Sequence, residues 1–440
     1  MTLSRALYSL LICLGLPAIV LRLLWRAYRQ PEYLRHWRER FGCYATPASA
    51  EGDKRKLIWI HAVSVGETRA AQPLIAVLRQ RHPDYKILMT HMTPTGRQAG
   101  VELFGDSVER VYLPYDYPWA VSRFLRHFRP RLGLLMETEL WPNLIASCRR
   151  REIPLLLVNA RLSAKSARRY ARLPQLTRCA LQDLTAIAAQ EETDAGRLRQ
   201  LGAHEVAVLG NLKFDIAPPA AQLEQGKVFR RLFGARPVLL AASTREGEEA
   251  LLLDAWCASP CKDALLVIVP RHPQRFEEVA QLVAARGLHL QRRSETAAVA
   301  PETRVWLGDS MGEMFAYYAA SDVAFIGGSL LDYGSQNLIE GCAVGVPLLL
   351  GPSTYNFSAA ARAALACGAA RAVADADELV GAALALLADA EERGRMGTAG
   401  QRFAVRHRGA SERTSALLDR VLEKETSANG MPYPELMGLD

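Results

Sequence analysis

From Leu57 onward the chain consists of short, nearly unbroken apolar runs separated by longer segments of helical character. The first half carries LIWIHAV, YKILMTHM, RVYLPYD, LGLLMETE, PLLLVNA, AIAAQ and EVAVLGN. The second carries RPVLLAAST, ALLVIVPRH, LHLQRR, VWLGDS, DVAFIGGS and VPLLLGP. A strand with one wet face alternates polar and apolar residues; these mostly do not, so they predict strands buried on both faces of parallel sheets. The stretches between them, such as ETRAAQPLIAVLRQRHP, have the length of crossover helices, which makes the fold doubly wound α/β. At 440 residues the chain exceeds one ordinary core. The two series part around PPAAQLEQG, within residues 217–226, a candidate hinge. The expectation is two Rossmann-like domains facing a cleft, at 25–216 and 217–425, followed by a tail at 426–440.

Open parallel sheets bind ligands beyond the carboxyl ends of their strands. Here those ends carry Glu67, Glu137, Glu139, Arg161, Lys213, Ser243, Arg271, Asp309, Ser310 and the turn Gly327-Gly328-Ser329. Each also has a plainer reading. Glu67, at the end of LIWIHAVSVGE, could cap the helix that follows; Glu139 and Trp141 could brace a turn; Lys213 could be solvated. The block at 308–352 joins a strand-end GDS, a helix start at Met311–Met314, a glycine-rich turn and a helix bearing Glu340. Helix-start amides suit a phosphate and a carboxylate one turn in suits a ribose, so the block is a candidate nucleotide-sugar site.

Several chemistries lack their signatures. No two glycines are separated by one residue, which removes the dinucleotide fingerprint, and no P-loop or HExxH motif occurs. Asp375 and Asp377 form one DxD, but they precede an Ala/Leu-rich helical run from Glu378 to Leu387, where capping and first-turn acids account for them. The eight cysteines are scattered, mostly among apolar neighbours, and fit reduced, buried thiols better than a disulfide framework. Cys257 and Cys261 are a lone CxxxC without a second pair.

The N-terminus has its own pattern. Ala6–Leu21 is free of charge and contains Pro17, and residues 1–40 carry seven arginines against Glu32 and Glu39. The apolar run falls short of the roughly 20 residues of a comfortable span. No small-x-small cleavage pattern follows it, so residues 1–24 are expected to be an uncleaved anchor or a monotopic segment. The arginines place the bulk of the chain on the cytoplasmic side, against anionic inner-membrane lipids. A cleaved signal peptide and a solvated basic helix are the alternatives.

HAVSVGE, METELWPN, NARLS, GNLKFD, VPRHP, GDSMGEM and GGSLLDYGSQNLIE, in this order, resemble the Kdo transferases of lipopolysaccharide assembly, two-domain GT-B glycosyltransferases. The resemblance covers residues 1–425. It implies inverting transfer of 3-deoxy-D-manno-octulosonic acid (Kdo) from CMP-Kdo to the tetraacylated, bisphosphorylated lipid A precursor, at the cytoplasmic face of the bacterial inner membrane. Carried over by motif, Glu67 is the general base, and Glu137 and Lys213 stabilise the transition state. Pro270, Arg271, Gly312, Glu313, Met314, Asn337, Leu338, Ile339 and Glu340 contact CMP. No metal or other cofactor is implied for transfer. One departure stands out: Ser335-Gln336 replace the Gly-His of many relatives. The basic stretch NARLSAKSARRYARLPQLTR is either a solvated face or a partner for lipid phosphates, while no nucleic-acid motif appears. Two rivals remain: another GT-B nucleotide-sugar transferase acting on a membrane lipid, and a catalytically inactive membrane-bound binding protein.

Overall fold

The computed structural model describes residues 2–45, 56–261, 263–295 and 297–428. It contains two compact units, one of residues up to Asp215 together with those from Arg408, the other of Ile216–His407.

The first unit is built on seven parallel strands: β1 (Leu57–His61), β2 (Lys86–His91), β3 (Glu109–Tyr112), β4 (Leu132–Met136), β5 (Leu155–Ala160), β6 (Ala186–Ala189) and β7 (Val206–Val208). Their order is β3-β2-β1-β4-β5-β6-β7, and every pairing is parallel. All five residues of β1 are buried. Leu57 and Trp59 enter the core on one face of the sheet, and Ile58 and Ile60 enter the core on the other. Period-two side chains with a core on each face are what an unbroken apolar run encodes.

The second unit repeats the plan with β8 (Val238–Thr244), β9 (Leu265–Pro270), β10 (Leu290–Arg292), β11 (Val305–Leu307), β12 (Val323–Ile326), β13 (Leu348–Leu350) and β14 (Ala370–Ala372). Their order is β10-β11-β9-β8-β12-β13-β14. The edge strand β14 is absent from the sequence-based expectation.

Two boundaries differ from that expectation. The candidate hinge at 217–226 is mostly helix, because Ala220–Phe233 begins directly after Pro219. Gly226 in this helix packs so tightly that a Cβ would lie 2.6 Å from Ala319 Cβ. Nor does the second domain extend to residue 425. The last helix, Ala410–Ala428, packs on the first unit, and its Leu418, Val421 and Leu422 join the core that holds Ile58 and Leu74. Asp215 fixes the return, its two carboxylate oxygens accepting the amides of Gly409 and Ser411 at 2.6 Å each. Arg81 adds an ion pair to Asp419 at 2.9 Å. Leu418 is fully buried, so Leu418→Ala is expected to cost about 2–5 kcal/mol, read as a lower urea midpoint. A cost near zero would place this helix outside the core. Of the expected tail, residues 429–440 lie outside the described residues.

At the N-terminus α1 (Leu3–Leu14) and α2 (Leu16–Arg29) meet at Gly15 with a bend of 51°. Gly15 and Pro17 at the start of α2 account for the break. No single helix among the described residues is long and apolar enough to cross a membrane. A polar seam docks α1 on the first unit. Tyr8 Oη donates to Asp116 Oδ2 at 3.1 Å, and Ser9 Oγ donates to Asn143 Oδ1 at 2.9 Å. Asp116 in turn accepts the amides of Asn143 and Leu144 at the start of the helix Pro142–Arg150. The other side of the pair is bare, with Leu3, Leu7, Leu10, Leu11, Leu14, Leu21, Leu24 and Trp25 exposed. Of the seven N-terminal arginines, Arg40 is buried, its guanidinium 4.0 Å from the Tyr112 ring centroid. All eight cysteines are free, but only Cys148 and Cys342 are buried, so the expectation of mostly buried thiols is corrected.

Candidate functional site

Beyond the end of β1 the chain turns into α3 (Val65–Arg81). Ser64 is its N-cap, and Glu67 reaches back in a capping box. Val63 N donates to Glu67 Oε2 at 2.8 Å, and Ser64 Oγ donates to Glu67 Oε1 at 2.9 Å. The plain reading of Glu67 as a cap is therefore realised, and it leaves lone pairs on both oxygens. Burial, then the negative charge of Glu137, with a smaller push from Glu139, raises its pKa to about 8 despite those bonds. Beneath the turn lie His61 and His91. Burial lowers them to about 3 and about 4, so both rings are neutral at physiological pH. They serve as packing: His61 Nδ1 lies 2.9 Å from Thr90 Oγ1, and His91 Nδ1 lies 2.9 Å from the Ala62 carbonyl.

Glu137 follows β4 with a φ of +57°. A non-glycine residue in that region is held there by its surroundings. Its amide donates to the Val158 carbonyl at 2.9 Å, and Lys213 Nζ reaches its Oε1 at 2.9 Å. Burial pushes the Glu137 carboxyl up. The charge and hydrogen bond of Lys213, aided by Arg161, more than reverse this and hold it below the usual range. Lys213 is placed from two sides. Asn159, next to last in β5 at a φ of +53°, accepts the Leu212 amide at its Oδ1 at 3.0 Å, and Asn211 Oδ1 accepts the Lys213 amide at 3.0 Å. Lys213 is thus no solvated surface lysine. Glu139 accepts from Trp141 Nε1 at 2.8 Å, the bracing expected of ETELW, and burial first and Glu137 second raise its pKa. Glu67, Glu137 and Lys213 therefore form one electrostatic unit.

The donor candidates lie in the second unit. Pro270 ends β9, and the Arg271 amide donates to the Thr244 carbonyl at 3.0 Å. His272 beside it is lowered by burial and then by Arg271, Arg245 and Arg275, which marks a positive field suited to a phosphate. Gly312 adopts a φ of +84° before the helix Met314–Ala319. The Glu313 carboxylate is engaged by Arg293 at 3.1 Å and by the Ser310 hydroxyl. The helix starts at Met314, at the end of the expected Met311–Met314 stretch, and its Phe315 amide is occupied by Gln222 Oε1 at 3.2 Å. Asn337 Oδ1 accepts the Ile339 amide at 3.1 Å, and its Nδ2 donates to Glu340 Oε1 at 3.0 Å. Leu338 and Ile339 are buried, so their side chains pack in the core.

Two groups of strand-end residues do structural work instead. Asp309 is bound by the Ser294 amide and hydroxyl at 2.9 and 2.7 Å. The Gly327-Gly328-Ser329 turn faces a residue that sequence reading missed. Glu248, fully buried in the first turn of the helix Glu248–Ala258, accepts the amides of Arg245 at 2.8 Å, Gly328 at 2.6 Å and Leu330 at 3.0 Å. Those amides are not free for a phosphate. Asp375 caps the helix Ala376–Ala388, accepting the Glu378 amide at 2.9 Å.

Residues 35–216 match the family model described as 3-deoxy-D-manno-octulosonic-acid transferase (kdotransferase). The 3-deoxy-D-manno-octulosonic acid transferase of Bordetella pertussis is 44% identical over 429 residues, 94% of this chain and 99% of that protein. The protein of the same name from Haemophilus influenzae is 38% identical over 426 residues, 96% of this chain and 99% of that one. A crystal structure of UDP-GlcNAc 2-epimerase from Neisseria meningitidis bound to UDP-GlcNAc aligns with a TM-score of 0.58 at 16% identity, covering 83% of this chain and 100% of that one. That likeness concerns the fold alone.

Proposed function

Since this chain belongs to the family of 3-deoxy-D-manno-octulosonic acid (Kdo) transferases, we propose that it moves Kdo from CMP-Kdo to a lipid A precursor, with inversion, in lipopolysaccharide biosynthesis. The observation that carries this reading is Glu67. It is a carboxylate with a pKa of about 8 that borders the Glu137–Lys213 pair. In the proposed step the acceptor hydroxyl oxygen attacks the anomeric carbon of Kdo while its proton passes to Glu67. The bond to the CMP phosphate breaks, and the bonding electrons leave with CMP. A base with a raised pKa holds a proton firmly once it has taken one, and at pH near 8 half of it is ionised and ready. Positive character grows on the sugar carbon, which Glu137 balances, and Lys213 keeps Glu137 ionised. Arg271 meets the phosphate charge in its positive surroundings. With these cations at hand, transfer from preformed CMP-Kdo is expected to need no added metal.

The testing experiment incubates the purified full chain with CMP-Kdo, made and separated beforehand, and a lipid A precursor in detergent, with and without chelator. Product from CMP-Kdo and none from UDP-sugars supports the reading. Transfer from a UDP-sugar alone would move the chain to the rival class, and absence of turnover would make it a binding protein.

We further propose that α1 and α2 hold the enzyme at the cytoplasmic face of the inner membrane, the bare leucines in the lipid and Arg22, Arg29, Arg35 and Arg38 toward anionic headgroups. Removing residues 1–24 deletes the leucine face but keeps exposed Arg29, Arg35 and Arg38. Each basic residue near such a surface contributes about 1 kcal/mol, screened by salt. The truncated protein is expected to float with anionic vesicles at low salt and leave them at high salt. Turnover on detergent-dispersed acceptor is expected to persist. Salt-resistant flotation would place the anchor elsewhere.

A further inference from the structure

Arg271 is the cation that the donor reading depends on, and a second side chain aims it. Arg271 Nε donates to Gln336 Oε1 at 3.2 Å. Gln336 lies 65 residues away in sequence, yet its own position is tightly specified. Its amide donates to the Gly327 carbonyl at 2.9 Å, and the preceding Ser335 amide donates to the Gly328 carbonyl at 2.6 Å. Ser335 holds a φ of +69°, a conformation that glycine takes without strain and serine does not. The Gln336 side chain lies over Gly328: a Cβ added there would come within 3.0 Å of Nε2, and the Gly328 φ is +71°. Gly328 in turn is tied by its amide to the buried carboxylate of Glu248.

The other side of Arg271 is braced by the neighbouring acid. Thr244, whose carbonyl receives the Arg271 amide, donates its hydroxyl to Glu249 Oε1 at 2.8 Å. Glu249 is also fully buried and pairs with Arg275 at 3.0 Å. Two consecutive buried glutamates thus fix the main chain on both flanks of one guanidinium. A buried carboxylate is costly unless its lone pairs are filled. Glu248 meets that cost by filling them with backbone amides, which makes the turn rigid.

We infer that Gln336 is a positioning residue for the donor reaction, orienting the Arg271 guanidinium toward the nucleotide phosphate from a turn that Glu248 clamps. The inference rests on the proposed donor role of Arg271. A neutral acceptor suits this task, because it directs the guanidinium without cancelling the positive charge that the phosphate needs.

The test is a double-mutant cycle on the full chain, with CMP alone as the calorimetric probe and steady-state turnover beside it. Gln336→Met keeps bulk and removes the acceptor oxygen. It is expected to weaken CMP binding and raise the donor KM by roughly tenfold, with the acceptor KM unchanged and the melting temperature retained. In an Arg271→Ala background the same substitution is expected to change nothing further, because its effect passes through Arg271. Glu248→Gln, which turns one of its two oxygens into an amide donor facing backbone donors, is expected to act in the same direction. The Gln336 arm stands alone if that variant fails to fold. Full CMP affinity in Gln336→Met, or an undiminished Gln336 effect without Arg271, would overturn the inference while leaving the donor reading intact. Unchanged CMP affinity in Arg271→Ala would overturn the donor reading itself.

Discussion

Glu67→Gln is expected to lower turnover by about 10²–10⁴-fold, the range lost when a positioned general base is removed, while CMP binding is unchanged. The pH profile separates this role from capping. Glu67 is held up to about 8 by burial and by Glu137, so it is protonated and inactive as a base at low pH. The wild-type rate is therefore expected to rise with pH and level off above about 8. At pH 7 roughly a tenth of the molecules would carry the competent carboxylate. The residual rate of Glu67→Gln is expected to lack this limb. Glutamine can still accept the Val63 amide, so the cap should cost at most about 1 kcal/mol, checked by thermal unfolding. A folded variant with near-normal turnover, or one whose rate still climbs through pH 8, would leave Glu67 only its capping role.

Lys213→Met is expected to cost about 10²–10³-fold in turnover, comparable to the removal of one preorganised electrostatic group. It also carries a signature that a general loss of structure would not. Lys213 is what keeps Glu137 ionised against the effect of burial. Without it the Glu137 pKa rises, because only Arg161 is left to oppose burial. To the extent that Glu137 takes up a proton, its charge no longer opposes ionisation of Glu67, so the Glu67 pKa falls and the rising limb of the pH profile moves to lower pH. Glu137→Gln removes the same charge directly and is expected to move the limb in the same direction. If the limb stays in place in both variants, the electrostatic link between Glu137 and Glu67 is wrong, whatever the fall in rate.

Most of this architecture is legible in the sequence because burial on two faces writes itself as unbroken apolar runs. LIWIHAV, LGLLMETE and PLLLVNA all become central strands of the first sheet. The same rule explains the strand that was missed. At the edge of the second sheet, β14 has only three residues, ARA, of which Arg371 and Ala372 are exposed, so no core demanded an apolar run. Strand ends also singled out Glu67 and Glu137 as candidates, since a charge after a buried strand is conspicuous; Lys213 follows β7, which is only partly buried. Glu248 and Glu249 were hidden for the opposite reason. Acids in a helix's first turn are common on solvated surfaces, and their partners here are set by the fold: Glu248 takes the distant amides of Gly328 and Leu330, and Glu249 takes the Thr244 hydroxyl and Arg275. The last helix carries Leu417, Leu418 and Leu422, but leucines say that a helix needs a core without saying which one.

That last helix makes the order of synthesis matter. The first unit begins to leave the ribosome early, yet Leu418, Val421 and Leu422 of its core follow only after all of Ile216–His407 has been made. At translation speeds of about 5–20 residues per second, that delay is roughly 10–40 s. During it the first sheet has an unfilled face beside α3, the helix that bears Glu67, while the second unit, one continuous stretch of chain, can already close around its own core. A ribosome that stops short of Leu418 would therefore release a second unit that is complete and a first unit that is not.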